Sequence, residues 1–279
     1  IAYFVVTGPW RERFAGSSPL EPRHKFYFLT GAFLLYLVQG GPLELMSHLT
    51  FSAHMIAMAV SYMMAPPLII LGIPAWLWKA AFQWKGFRKL SFLMHPIMTV
   101  LMFNILFSIY HMPNIHDQIM TNYALHTVYY IILLITAFMM WWNVICPVPE
   151  WNRLTDLRKM GYIFLSGMLL NPACALIIFA GKPLFETYNN PEVWAVAMGY
   201  CVPGDPSVLL EMFEGPQFFT PFTPAEDQQL GGIVMKLLQE FIYGAVLARV
   251  FFHWFRKEKE NDDRTPDELL GREGQWNRA

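Results

Sequence analysis

Five of the eight histidines, His48, His54, His111, His116 and His126, lie in or near segments almost free of basic residues, and methionines are interspersed among them. The densest stretch is Phe51-Ser52-Ala53-His54-Met55, followed by Met58, Met63, Met64 and Ala65-Pro66-Pro67. A helix puts His54 and Met58 on one face, separated by about 6 Å along its axis. An imidazole beside a soft thioether is a ligand set for Cu(I). The alternative is plain packing: methionine is a common filler between helices, and a histidine can simply hydrogen-bond across a bundle. An ionisable side chain inside a membrane span is nevertheless a functional-site hypothesis by default. Tyr110-His111-Met112-Pro113, His116-Asp117 and Leu125-His126 supply further imidazoles. Asp117 has the chemistry to orient a metal-bound histidine. The competing reading of His111, His116 and Asp117 is an interfacial turn in which polar side chains cap helix ends.

The elements that must position these residues read as membrane spans. Apolar residues make up 55% of the chain and charged residues 15%, against roughly 25% charged in soluble domains. Segments 94–110, 123–142, 162–180 and 231–255 are apolar over about the 17–25 residues needed to cross a hydrocarbon core of about 30 Å. Segment 26–39 is a shorter span anchored by Lys25, and 52–78 is another. Pro66-Pro67 removes two backbone donors and should kink or break it. The chain opens at Ile1 on an apolar run, which reads as the end of a truncated first helix.

Basic residues cluster at Arg11, Arg13, Arg23 and Lys25, at Lys79, Lys85, Arg88 and Lys89, at Arg153, Arg158 and Lys159, and from Arg256 to Arg278. The positive-inside rule sends these clusters to the cytoplasm. Segments 40–51, 111–120 and 181–230 hold a single basic residue, Lys182, and so face outward with the histidines. The expectation is an all-α polytopic membrane bundle of about seven helices over 1–255, with an acidic outer loop at 181–230. The charged stretch 256–279 reads as a flexible cytoplasmic tail, because it cannot bury a core. A net charge of −1 gives no reason to expect nucleic acid. Cys146, Cys174 and Cys201 form no closely spaced pair, which argues against thiol chemistry.

The last span opens with Thr223-Pro224-Ala225-Glu226-Asp227-Gln228-Gln229-Leu230-Gly231-Gly232. Thr223, Pro224 and Glu226 form a capping box with proline at the first helical position. Gly231-Gly232 permits close helix approach. Asp227 and Gln228 are not explained by the cap. Lys236 and Glu240 are spaced to pair with each other or to mark an ion path.

Taken in order, Phe51-Ser-Ala-His54-Met55, Met64-Ala-Pro-Pro67, Leu71-Gly-Ile-Pro74, His111-Met-Pro113 with Asp117, Leu125-His126, Trp141-Trp142 and Pro224-Ala-Glu-Asp-Gln-Gln-Leu-Gly-Gly232 resemble the CtaG family of integral-membrane cytochrome c oxidase assembly factors from bacilli and their relatives. The resemblance spans about residues 25–255. It implies a seven-helix protein of the bacterial cell membrane, with its C-terminus in the cytoplasm, that helps build an active terminal oxidase and has a proposed role in delivering copper. In that family the third and fifth helices often carry histidine pairs four residues apart, whereas here the second positions are Met58 and Tyr130.

The resulting expectation is binding and transfer rather than catalysis. His54, His111 and His126 would hold Cu(I), Met55 or Met58 would be soft ligands, and Asp227 would lie nearby. Copper would pass at the outer membrane face from a copper donor protein to cytochrome c oxidase subunits. Two other classes stay open: a haem-handling protein using axial histidines, and a metal or ion transporter with Lys236, Glu240 and a broken third helix on its path.

Overall fold

A computed structural model describes residues 1–83, 91–201 and 206–262. Lys85, Arg88 and Lys89 of the second basic cluster, Asp205, and the end of the expected tail from residue 263 lie outside the described residues. Among the described residues the regular structure is helical, an all-α polytopic membrane bundle. The helices are α1 (Ala2–Thr7), α2 (Pro22–Gln39), α3 (Pro42–Leu49), α4 (Phe51–Gly72), α5 (Ala75–Phe82), α6 (Pro96–Tyr110), α7 (Pro113–Met120), α8 (Tyr123–Ile145), α9 (Asp156–Phe179), α10 (Pro191–Met198), α11 (Pro206–Phe213) and α12 (Pro224–Asp262). Four of them, α4, α8, α9 and α12, are long and apolar enough to cross a membrane. Two bent pairs, α2 with α3 at 41° and α6 with α7 at 82°, raise the number of candidate spans to six.

Helix α4 lies at the centre: 67% of its most apolar window is buried, against 28–44% for the other three long helices. Helix α2 packs along its C-terminal half, α12 along its N-terminal half, and α8 against its π-helical turn and C-terminal half. Helix α12 also lies against α9, which reaches α6 and so returns to α8.

The double proline does not break α4. It lies just beyond a π-helical segment, Val60–Met64, and the helix continues to Gly72 before ending ahead of Pro74. Pro66 has no N–H to give the Tyr62 carbonyl four residues back. The indole N–H of Trp141 on α8 donates to that carbonyl instead, at 3.0 Å. The widened turn relieves the proline clash and the neighbouring helix supplies the missing donor, as an apolar phase requires.

Close packing follows small residues. A Cβ on Gly72 would come within 2.5 Å of the Phe28 Cα, so α2 and α4 touch backbone to backbone there. A Cβ on Gly231 would meet the Phe51 ring at 2.8 Å, and one on Gly232 would meet Ile178 at 2.8 Å. This glycine pair therefore lets α12 sit between α4 and α9, as its sequence predicts.

Three segments read as loops are helical instead: α3, α7, and α10 with α11 inside 181–230. Each of these four helices begins with proline at its first positions and spans only eight residues. Such lengths give too few turns to show a clear period. Helix α12 runs on through Asp262, so residues 256–262, read as the start of a flexible tail, are helical.

Replacing Trp141 with Phe removes the donor for the Tyr62 carbonyl while keeping an aromatic ring. The expected outcome is a loss of about 1–3 kcal/mol, the cost of a buried unpaired polar group, read as a lower thermal midpoint in detergent.

Candidate metal centre

His48, His54, His111, His116 and His126 gather at one end of the bundle, and the Lys79–Glu150 ion pair (2.8 Å) and the Asp156–His253 contact (3.1 Å) lie at the other. The N-terminus of α4 sets the position of His54. Its first amides are all satisfied: Phe51 N–H donates to Asp227 Oδ2 at 2.7 Å, Ser52 N–H to the same oxygen at 3.3 Å, and Ala53 N–H to Thr50 Oγ1 at 3.3 Å. The Ser52 hydroxyl donates to Asp227 Oδ1 at 2.6 Å. Asp227 thus caps a helix other than its own, and its two oxygens are occupied by backbone and Ser52 rather than by imidazole.

The rest of the motif opening α12 is structural in the same way. Thr223 and Glu226 exchange hydrogen bonds as a capping box, Thr223 N–H to Glu226 Oε2 at 2.8 Å and Glu226 N–H to Thr223 Oγ1 at 3.3 Å. Gln228 accepts from Leu184 N–H at 2.7 Å and donates to the Ile177 carbonyl at 3.2 Å, closing the C-terminal end of α9. Lys236 bonds Asn171 and pairs with Glu240.

Two groups of imidazoles result. His54 lies with its ring centre 5.3 Å from that of His116 on α7 and 6.4 Å from that of His111 at the end of α6. His48 on α3 lies 5.6 Å from His126 on α8. With a metal–nitrogen bond of about 2.0–2.1 Å, two imidazoles on one ion have ring centres roughly 5–6.5 Å apart. Tyrosines link the groups: the Tyr110 hydroxyl is 3.3 Å from His54 Nε2 and 3.1 Å from the Tyr130 hydroxyl, and the Tyr130 ring lies 4.0 Å from that of His126.

The hydrogen bonds of these imidazoles are one-sided. His111 Nδ1 is 2.7 Å from the Phe107 carbonyl, which can only accept, so Nδ1 carries the proton and Nε2 presents a lone pair. His116 Nδ1 is 3.4 Å from Asp117 Oδ1, and His48 Nδ1 is 3.0 Å from the Glu44 carbonyl. The Nε2 atoms of His111, His116 and His126 are buried without a partner. An imidazole fixed through one nitrogen with the other free in a dry interior is the usual state of a metal ligand. Left as it is, each such nitrogen costs about 1–3 kcal/mol. Among the described residues no three His, Cys, Asp or Glu side chains enclose an ion as they stand, so a bound ion requires these rings to turn toward one another.

His54 and His111 fall in one group, and His126 lies in the other. His116 was not among the expected ligands, yet of these imidazoles it lies nearest to His54. Its signal was the carboxylate next to it in sequence, set in a short helix whose buried face is His116, Ile119 and Met120. Met55 and Met58 are buried in the core, with Met55 against Gly231. A further thioether, that of Met120, accepts from the Tyr110 hydroxyl at 3.4 Å.

A roof covers the His54 group. Asp117 accepts from the backbone N–H of Glu186 at 3.0 Å and of Thr187 at 3.1 Å, and from the Thr187 hydroxyl at 2.7 Å. That anchor stacks Phe185 on Phe51 at 4.6 Å and sets its ring 4.7 Å from His116. Tyr188 donates to the Ser47 carbonyl at 2.7 Å and Trp194 to the His48 carbonyl at 3.2 Å, fastening the 181–230 region over this end. Cys146, Cys174 and Cys201 are all free. Burial pushes the Cys201 thiol up to about 11, which keeps it protonated at neutral pH.

Neither a curated protein nor a solved structure matches this chain. A family model does, that of the cytochrome c oxidase caa3 assembly factor, over residues 1–257. Chain-long agreement with that model, on a membrane bundle whose described ordered motifs fix helix ends and gather histidines, places this protein in the caa3-type cytochrome c oxidase assembly factor family.

Proposed function

We propose that this protein serves oxidase assembly by holding Cu(I) at the histidine end of the bundle and passing it to an oxidase subunit. The observation that carries this reading is the set of buried, unpartnered Nε2 atoms on His111, His116 and His126, two of them on rings whose opposite nitrogen is already engaged. Neutral imidazoles bind a metal without releasing a proton, and the Met120 thioether nearby adds a soft donor that favours Cu(I). Copper is cargo here, and the step is ligand exchange with no change of oxidation state and no catalysis.

On this reading the protein lies in a bacterial cell membrane, and its basic clusters support an orientation with the histidine end outside the cytoplasm and α12's C-terminal end inside it. Copper arrives from a donor protein on that side as these side chains displace the donor's ligands, and it leaves as ligands of an oxidase subunit displace them in turn. His54 and His116 are the core of the proposed site, with His111 beside them; His48 and His126 form a neighbouring station reached past Tyr110 and Tyr130. A carrier benefits from such sparse ligation, because an ion held by few donors leaves through a short series of exchanges.

Cu(I) loading of detergent-purified protein under reducing conditions tests this directly. Wild type should retain stoichiometric copper, while His54→Ala and His116→Ala should lose it and His126→Ala should weaken or slow loading. Wild type that holds no copper ends the proposal. A Soret band in the purified protein would turn it toward haem.

Asp227→Asn separates cap from ligand. It should lower stability by about 0.5–2 kcal/mol, the usual worth of a helix cap, and leave the copper stoichiometry of the folded fraction at the wild-type value. Loss of copper without loss of thermal midpoint would instead make Asp227 a ligand.

A further inference from the structure

At the end of the bundle away from the His54 and His126 groups, a groove of about 590 Å³ runs between α2, α4, α8, α9 and α12, within the size range of pockets that hold small molecules. Its wall is apolar, formed by residues such as Met64, Leu68, Leu71, Ile242 and Val246. Phe241, 77% exposed, also lines it. Its mouth is cationic. Lys159, Arg249 and Arg256 line it, against one carboxylate, Asp156, which already faces His253 at 3.1 Å.

Two features of that mouth point to an anion. Among the described residues neither Arg249 nor Arg256 is in an ion pair; the Arg256 Nε donates only to the Phe252 carbonyl of its own helix, at 3.2 Å. Lys159 is 8% exposed, and among the described residues no carboxylate lies within ion-pair distance of it; Asp156, one turn back on its own helix, acts on it only at longer range. A buried ammonium at an apolar edge is costly unless an anion faces it.

We propose that this groove binds one anionic phospholipid, with an acyl chain along the apolar wall and the phosphate between Arg249, Arg256 and Lys159. The occupant follows from this combination: a slot with an apolar wall formed by α2, α4 and α12 suits an acyl chain, and the excess of cations at its mouth suits a negative headgroup. Basic pockets between helices at this level of a membrane are general binding places for anionic headgroups. The groove shares no residue with the histidine site, so it stands or falls independently of copper binding.

The test uses the whole chain in a neutral detergent, titrated with phosphatidylglycerol, with phosphatidylcholine of the same chains, and with inorganic phosphate, reading the thermal midpoint and the lipid retained after purification. Phosphatidylglycerol should raise the midpoint saturably and remain at about one molecule per chain. The double variant Arg249→Gln with Arg256→Gln, both exposed and outside the packed core, should bind it roughly 30-fold more weakly while keeping the wild-type midpoint in detergent alone. Lys159→Met should also lose selectivity. Equal stabilisation by phosphatidylcholine, the same response to inorganic phosphate, undiminished binding by the double variant, or a co-purifying pigment would each overturn the proposal.

Discussion

The carboxylate of Asp227 is the interaction from which the histidine end is built. In an apolar phase the opening N–H groups of a helix have no water to turn to, and each one left bare costs several kcal/mol. Helix α4 meets this need with an acid borrowed from α12, through Phe51, Ser52 and the Ser52 hydroxyl. Because the acid belongs to another helix, satisfying the backbone also fixes where α12 crosses α4. Gly231 and Gly232, one helical turn further on, let the two helices close at that crossing. His54 sits less than one turn beyond the capped amides, so its depth and direction are set by a bond to a residue far away in sequence.

The same logic governs the middle of the bundle. Pro66 and Pro67 leave carbonyls without donors, and a widened turn together with the Trp141 indole restores one of those bonds. The long central helix therefore remains one element, with Tyr62 and Met63 fully buried inside it. Backbone groups that cannot bond within their own helix are met by specific side chains of neighbours, and the motif residues of this chain are largely those side chains.

That explains what was and was not legible in the sequence. The spans, the capping box at Thr223 and Glu226, the close approach at Gly231-Gly232 and the gathering of histidines at one end follow from local spacing and from the alternation of basic and apolar segments. The partners of Asp227, Gln228 and Asp117 do not, because helical periodicity tells which residues share a face but not which helix end comes to meet them. The carboxylate of Asp227, for example, accepts from amides about 175 residues away in sequence. His116 and Met120 were passed over because α7 is too short to show its buried face, and Asp117 finds its loop partners 69 and 70 residues later.

Asp117 joins two tasks on one carboxylate. It faces His116, and it holds the Glu186 and Thr187 amides that keep Phe185 over the rings. A carboxylate shared in this way divides its electron density between the imidazole and the loop. The orientation of the His116 ring and the position of Phe185 above it are thus coupled through a single side chain, so a change at Asp117 reaches both at once.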